Sequence, residues 1–222
     1  ADASHHLGIV LRAKAGSPID VFDVSGNAYQ GVLLTVGKRV TVRLLQKLTR
    51  VVESRLHLHL AQAIGKNDKI DWVIQKAVEL GVGEISLLLT ERTEVRLPSD
   101  QWQKKMAHWQ GVLINAVEQS GRTKIPILNP PITLKQFLQQ APSVELAIML
   151  HVHDGKRLAD IAPPVFSTAQ VLIGPEGGFS ESEVRLALAT GYDAITVGPR
   201  VMRTETAPLA ILSILQWLQG DF

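Results

Sequence analysis

From Arg55 onward the chain alternates short apolar runs with segments of helical period, and this alternation restricts it to one kind of architecture. "RLHLHLAQAI" reads as a strand. "NDKIDWVIQKAVELGV" reads as a helix, with Asn67 as its N-cap and Gly81 as its stop, and "EISLLL" is the next strand. The long helix "SDQWQKKMAHWQGVLINAVEQSGR" follows, with Ser99 at its N-cap. "VELAIML", "AQVLIGP" and "DAITVGP" are three further buried strands, and helices over 180–190 and 204–219 cover the last two. Strands separated by helices pair in parallel, so residues 55–222 are expected to form an α/β domain with a largely parallel sheet.

The amino-terminal part follows a different pattern. "PIDVFDV", "AYQGVLLTV" and "RVTVRLLQKL" are β-rich runs separated by Ser-Gly-Asn and Gly-Lys, with no long helix between them. That is the pattern of a small antiparallel sheet or barrel over 1–48, joined by the linker "TRVVES" at 49–54. A short helix, "ADASHHLGIVLRAKAG", precedes it and stops at Gly16. The 222 residues suffice for one medium and one small domain. The net charge is only +2 although the pI is about 8.9, so an anionic partner is permitted and any basic patch has to be local. Arg39, Thr41 and Arg43 alternate along one strand and form such a stripe, with Arg12, Lys14 and Lys38 nearby in sequence.

The absence of cysteine excludes disulfides, thiolate metal sites and a cysteine nucleophile. The longest apolar stretch, "APLAILSILQWL", is too short to span a bilayer, and no signal peptide is visible. A cytoplasmic location with no membrane partner is therefore expected.

Chemistry concentrates in two loops that follow strands. "VLIGPEGGFSESE" places Gly174, Gly177 and Gly178 at a strand's carboxyl end, where α/β sheets bind ligands. Glycine lets a backbone approach a flat ligand closely. Ser180 and Glu183 have the S-x-x-E spacing of a capping box, which fixes where the helix begins. The loop lacks the lysine of a P-loop and the spacing of a dinucleotide fingerprint. Glu176 in mid-loop would repel phosphate, which points to a neutral or cationic ligand. The second loop, "VGPRVMRTETAP", carries Arg200, Arg203 and Glu205 within six positions. Two guanidiniums there suit a phosphate or the edge of a base, unless they merely pair with Glu205 at the surface. Thr204 or Thr206 is placed to cap the final helix, with Pro208 in its first turn.

"LIGPEGGFSESE" followed by "VGPRVMRTETA" resembles the ribosomal RNA small-subunit methyltransferase E (RsmE) family of the SPOUT superfamily. "HHLGIVLRAKAG", "KIDWVIQKAVELGV", "ERTEV", "NAVEQSGRTKIP" and "LAIML" agree with it, so the likeness runs nearly end to end. Members usually carry a further basic strand segment ahead of the position of Ala1, and the small domain is expected to lack its first strand here.

The resemblance implies a small PUA-like RNA-binding barrel and a SPOUT domain whose parallel sheet closes with a deep trefoil knot. It implies S-adenosylmethionine as cofactor, lying against Leu150, Gly174, Glu176, Gly177, Val197, Gly198 and Met202. The implied reaction is methyl transfer to N3 of a uridine in small-subunit (16S) ribosomal RNA, acting on the RNA or the assembled subunit, by a homodimer that needs no metal. Arg203 is then the group that stabilises charge on the uracil oxygens, Arg200 a second positioning residue, and Glu205 or Glu176 the acceptor of the N3 proton. Arg12, Lys14, Arg39, Arg43, Arg92 and Arg122 are the candidate RNA contacts.

Two other readings compete. "HLHL" at His57 and His59, and "HVHDG" at 151–155, have the H-x-H spacing of a metallohydrolase, but no further ligand cluster follows them. A non-enzymatic RNA-binding protein would explain the basic strand and leave both glycine loops idle.

Overall fold

The computed structural model describes residues 13–23, 25–37, 39–49, 52–65, 69–93, 98–140, 144–152 and 155–222, the side chain of Ser99 excepted. The expected opening helix, Arg12, Lys38, the Asn67 cap, His153 and Asp154 lie outside the described residues.

The chain forms two units, 1–53 with 121–125, and 54–120 with 126–222. In the first, β1 (Pro18–Phe22), β2 (Ala28–Thr35) and β3 (Thr41–Leu48) make an antiparallel sheet in that order. The β1–β2 turn is held by the Asp23 carboxylate, which accepts from the backbone of Ser25 and Asn27 and from the Asn27 amide. The pentapeptide 121–125 belongs here because Glu53 binds it. Glu53 accepts two bonds from the Arg122 guanidinium, at 3.1 and 2.7 Å, and one each from the Thr123 and Lys124 amides at 2.9 Å. Burial works against ionisation of Glu53, but Arg122 and the two amides outweigh it and hold the carboxyl below its ordinary range. The linear reading put Arg122 in the larger domain as an RNA contact. In the structure it belongs to the first unit, is 6% exposed and is committed to Glu53.

The second unit runs β4 (His57–Ala63), α1 (Lys69–Glu79), β5 (Glu84–Leu89), α2 (Ser99–Ser120), β6 (Ile127–Thr133) and α3 (Leu134–Gln140). It continues β7 (Leu146–Leu150), α4 (Leu158–Ile161), β8 (Thr168–Ile173), α5 (Glu181–Ala189), β9 (Asp193–Ile195) and α6 (Thr206–Gln219). All six strands are parallel, in the order β6-β5-β4-β8-β7-β9. The expected strands and helices from Arg55 onward are present. Sequence pattern missed β6, α3 and α4. β6 contains Asn-Pro-Pro, which reads as a loop, and it survives as a strand because it lies at the sheet edge where one row of donors is not needed.

Both faces of the central strands are covered, which is why β4, β5 and β8 are almost uniformly buried. Under one face Ala61, Leu88, Phe137, Met149, Leu172 and Tyr192 share a core. A polar chain crosses this core from strand to strand. The Tyr192 hydroxyl donates to Gln170 Oε1, and Gln170 Nε2 donates to His59 Nδ1 at 2.8 Å. His59 Nε2 is 2.9 Å from Ser86 Oγ, which accepts from Asn129 at 3.0 Å. With Nδ1 accepting, the ring proton sits on Nε2, and His59 is fixed in its neutral form.

Burial lowers the His59 pKa from the ordinary 6.5, with nearby His57 adding to the effect and Glu84 opposing it. The unfolded chain therefore binds a proton that the folded chain refuses, so this histidine costs stability as pH falls through its unfolded value and costs nothing above it. Denaturant unfolding at pH 7.5 and 5.5 checks this. His59→Gln is expected to be the less stable protein at pH 7.5. It is also expected to lose less than wild type between the two pH values, by up to about 1.4 kcal/mol per unit. Equal losses in the two proteins would dismiss the assignment.

Candidate functional site

β7 lies between β8 and β9, so the loops after these three strands emerge side by side at one end of the sheet. They surround a cleft of about 680 Å³, a size ordinary for a small-molecule site. The β8 loop enters it as Gly174-Pro175-Glu176-Gly177-Gly178, with Phe179 folded back beneath. A Cβ on Gly174 would stand 3.2 Å from the Phe179 ring, a tight contact that the ring relieves only by shifting, so glycine lets strand and ring meet closely. Gly178 adopts φ +68°, and the helix then starts as S-x-x-E spacing predicts. Ser180 Oγ accepts from the Glu183 amide at 3.2 Å, and Glu183 accepts from the Ser180 amide at 2.9 Å. Glu183 also accepts from the Glu91 amide at 2.8 Å, and the Arg92 guanidinium donates to the Gly177 carbonyl. The loop is thereby braced by the turn that follows β5.

On the other side, Thr196 ties the β9 loop to the β7 loop. Its hydroxyl donates to the His151 carbonyl at 3.1 Å and accepts from the Gly155 amide at 3.2 Å. Beyond it, Arg200 and Arg203 line the cleft, are exposed, and make no ion pair among the described residues. They are not spent on Glu205. That carboxylate pairs with Lys69, whose ammonium is 3.0 Å from Glu205 Oε2 and 3.8 Å from Glu176 Oε1. The Lys69 ammonium is within hydrogen-bonding distance of Glu205 Oε2 and helps hold that carboxylate ionised. Desolvation opposes ionisation of Glu205, but Lys69, its own backbone amide and Arg203 prevail and keep the group below the ordinary carboxyl value.

The cleft gathers most of the residues singled out from sequence: Leu150, Gly174, Glu176, Gly177, Val197, Met202, Arg200 and Arg203 all line it. Gly198, at φ +71°, turns the chain just after Val197 without being part of the lining. Glu205 stands behind Lys69. Arg92, expected as an RNA contact, comes to the cleft through its bond to Gly177. Lys14, Arg39 and Arg43 are exposed in the first unit.

Neither threonine caps α6. Glu205 occupies the cap position with no side-chain bond, and the Thr206 and Ala207 amides turn back to the Arg203 carbonyl instead. Lys69, His151, Phe179 and Thr196 were not singled out as site residues, because the motifs that contain or flank them gave these positions no role and they meet in the cleft only through the strand order.

The histidine pair of β4 is not arranged as metal ligands. Both ring nitrogens of His59 face Ser86 and Gln170, and no cluster of three or more His, Cys, Asp or Glu is placed to hold an ion among the described residues. Among the same residues, no helix is long and apolar enough to cross a membrane.

The lining combines bare glycine backbone with Leu150, Ile173, Val197 and Met202, which suits an adenosyl group carrying no phosphate. Residues 52–216 match the family model described as RNA methyltransferase domain. The chain is similar to a methyltransferase from Legionella pneumophila whose structure holds the cofactor SAM, at 40% identity and TM-score 0.94, over 100% of this chain and 91% of that one. It is similar to the ribosomal RNA small subunit methyltransferase E of Neisseria gonorrhoeae bound to S-adenosyl methionine, at 36% identity and TM-score 0.91, with the same coverage. The protein of that name from Buchnera aphidicola of Schizaphis graminum is 31% identical over 98% of this chain and 89% of its own length.

Proposed function

The chain belongs to the ribosomal RNA small-subunit methyltransferase E family, and from that membership we propose that it methylates N3 of a uridine in 16S ribosomal RNA. Its cofactor is S-adenosylmethionine, which supplies a methyl group activated by the adjacent sulfonium. The observation that carries the proposal is the convergence of both glycine loops on one cleft with two arginines left unpaired among the described residues.

The chain's own residues have distinct tasks. Leu150, Gly174, Gly177, Val197, Gly198 and Met202 hold the adenosyl portion, largely on backbone, while Glu176 faces the cationic side of the ligand. N3–H of uracil is a weak acid whose lone pair is spread into the carbonyls, so the site has to take the proton and stabilise the ring anion. Glu205 takes the proton, as a carboxylate that Lys69 and Arg203 hold ionised beside the cleft. Arg203 stabilises the charge developing on the uracil oxygens, and Arg200 positions the base or its phosphate. Lys14, Arg39, Arg43 and Arg92 bind the RNA backbone.

Strand order supports the trefoil-knotted reading of the SPOUT domain. β8 is laid between the earlier β4 and β7, and α6 then returns to pack on α1. The three-stranded sheet is read as part of a PUA-like barrel. A homodimer is supported by α6, which buries Ile211, Leu212 and Leu215 while leaving Ile214, Trp217 and Leu218 exposed on a separate stripe, with Phe222 beyond. The cytoplasm, where the RNA is made, is the proposed location.

The test is to incubate the protein with methyl-labelled S-adenosylmethionine and either small ribosomal subunits or extracted 16S RNA, then digest to nucleosides for mass spectrometry. Labelled 3-methyluridine is the expected product. Label on C5, on a ribose or on another base would overturn the N3 assignment. S-adenosylmethionine binding without any transfer would return the question to the identity of the RNA substrate. Absence of cofactor binding would favour the RNA-binding protein instead.

A further inference from the structure

Lys69 is the first residue of α1, where a helix's own field favours acids and disfavours cations by about 0.3–1 kcal/mol. Asp71 in the same turn offsets part of that cost, but its carboxylate is taken by His108 and Trp109. The remaining offset is tertiary, since the ammonium lies between Glu205 at the start of α6 and Glu176 in the β8 loop, 3.0 and 3.8 Å away. Glu176 belongs to the loop after β8 and Glu205 to the segment after β9, the two glycine loops of the cleft. Lys69 is about one-third exposed and itself lines the cleft, so its charge is only partly screened. Gly65, shortly before it, packs its backbone against the Glu176 carboxylate, where any Cβ would be 2.6 Å from Oε2. Gly65 thus seats the β8 loop while Lys69 grips both loops.

We propose that Lys69 is a positioning residue that latches the two glycine loops across the cleft. It sets their separation for the ligand and fixes Glu205 as the ionised acceptor. The second role rests on the assignment of the cleft to S-adenosylmethionine and of Glu205 to the N3 proton. The groups facing Glu205 are Lys69 from α1 and Arg203 from its own loop. Glu176 faces Lys69 from the third side. Because Arg203 remains, loss of Lys69 relaxes Glu205 only part of the way toward its ordinary value.

The test compares wild type, Lys69→Met and Lys69→Arg by three readouts. Hydrogen exchange on the ligand-free proteins reports the latch itself. Lys69→Met is expected to exchange about tenfold faster in both 174–179 and 198–205. Calorimetry is expected to show S-adenosylmethionine binding about tenfold weaker. The acid limb of kcat/KM is expected to move to higher pH, since Glu205 then protonates more readily. Lys69→Arg is expected to restore all three to within about threefold, because it keeps the charge.

Faster exchange confined to the first turn of α1 would overturn the latch, as would unchanged affinity with an unmoved acid limb. So would an arginine variant indistinguishable from methionine. A wild type that binds no S-adenosylmethionine sinks the cofactor assignment and the catalytic role with it. The exchange experiment, which uses no ligand, still decides the latch.

Discussion

Arg203→Ala is expected to lower kcat for methyl transfer by about 10²–10³-fold while leaving S-adenosylmethionine affinity within about threefold. The guanidinium is exposed at the cleft and has no ion-pair partner among the described residues, so removing it leaves no stranded carboxylate and little structural cost. Its loss falls on the step in which N3 gives up its proton and negative charge spreads onto the uracil oxygens. A donor aimed at charge that exists only during reaction contributes to rate and not to ground-state binding. Single-turnover transfer to small subunits, beside calorimetry with the cofactor alone, separates the two. If cofactor affinity falls as far as the rate does, Arg203 belongs to the cofactor site and the uracil oxygens need another partner. Lysine at this position is expected to recover only part of the rate, because it keeps the charge and loses the planar fork.

Gly174→Trp is expected to abolish S-adenosylmethionine binding, weakening it by at least about 100-fold, or about 2.8 kcal/mol. The position allows a graded test. A Cβ alone meets the Phe179 ring at 3.2 and 3.3 Å and the Gly178 carbonyl carbon at 3.4 Å, contacts that a small shift of the ring relieves. Gly174→Ala should therefore cost only a few-fold in affinity, while an indole has no room except in the cleft. Both variants are expected to melt as cooperatively as wild type, since the β8 register with β4 and β7 lies upstream of the substitution. Full affinity in the tryptophan variant would place the cofactor elsewhere.

The parallel sheet was legible because its strands are buried on both faces and read as unbroken apolar runs between helical segments. β6 was not, because two prolines remove the signal that a strand normally gives, and only its edge position makes them tolerable. Both glycine loops announced themselves by composition. What the sequence could not convey was their relation to the third loop, since β7 enters between β8 and β9 only through pairings such as Ile148 with Val171 and with Asp193. Lys69 illustrates the same limit: its partners are Glu176 and Glu205, and no local pattern connects residues so far apart in the chain. Arg122 shows the converse, a basic residue expected to contact RNA whose side chain is buried against the Glu53 carboxylate.

The strand order also governs how the molecule is made. β4 is the first strand of the second unit, yet one of its two neighbours, β8, begins at Thr168. His57 waits for Thr168 as its partner, so one long edge of β4 has no strand to pair with until most of the polypeptide has left the ribosome. Closing such distant pairs is slow compared with forming the β4–α1–β5 unit. The sheet therefore grows outward first toward β5 and β6, and its other half is completed only when β8 and β9 arrive. The cleft, whose walls are the loops after β7, β8 and β9, closes around Lys69 and Arg92 last and is the final part of the protein to exist.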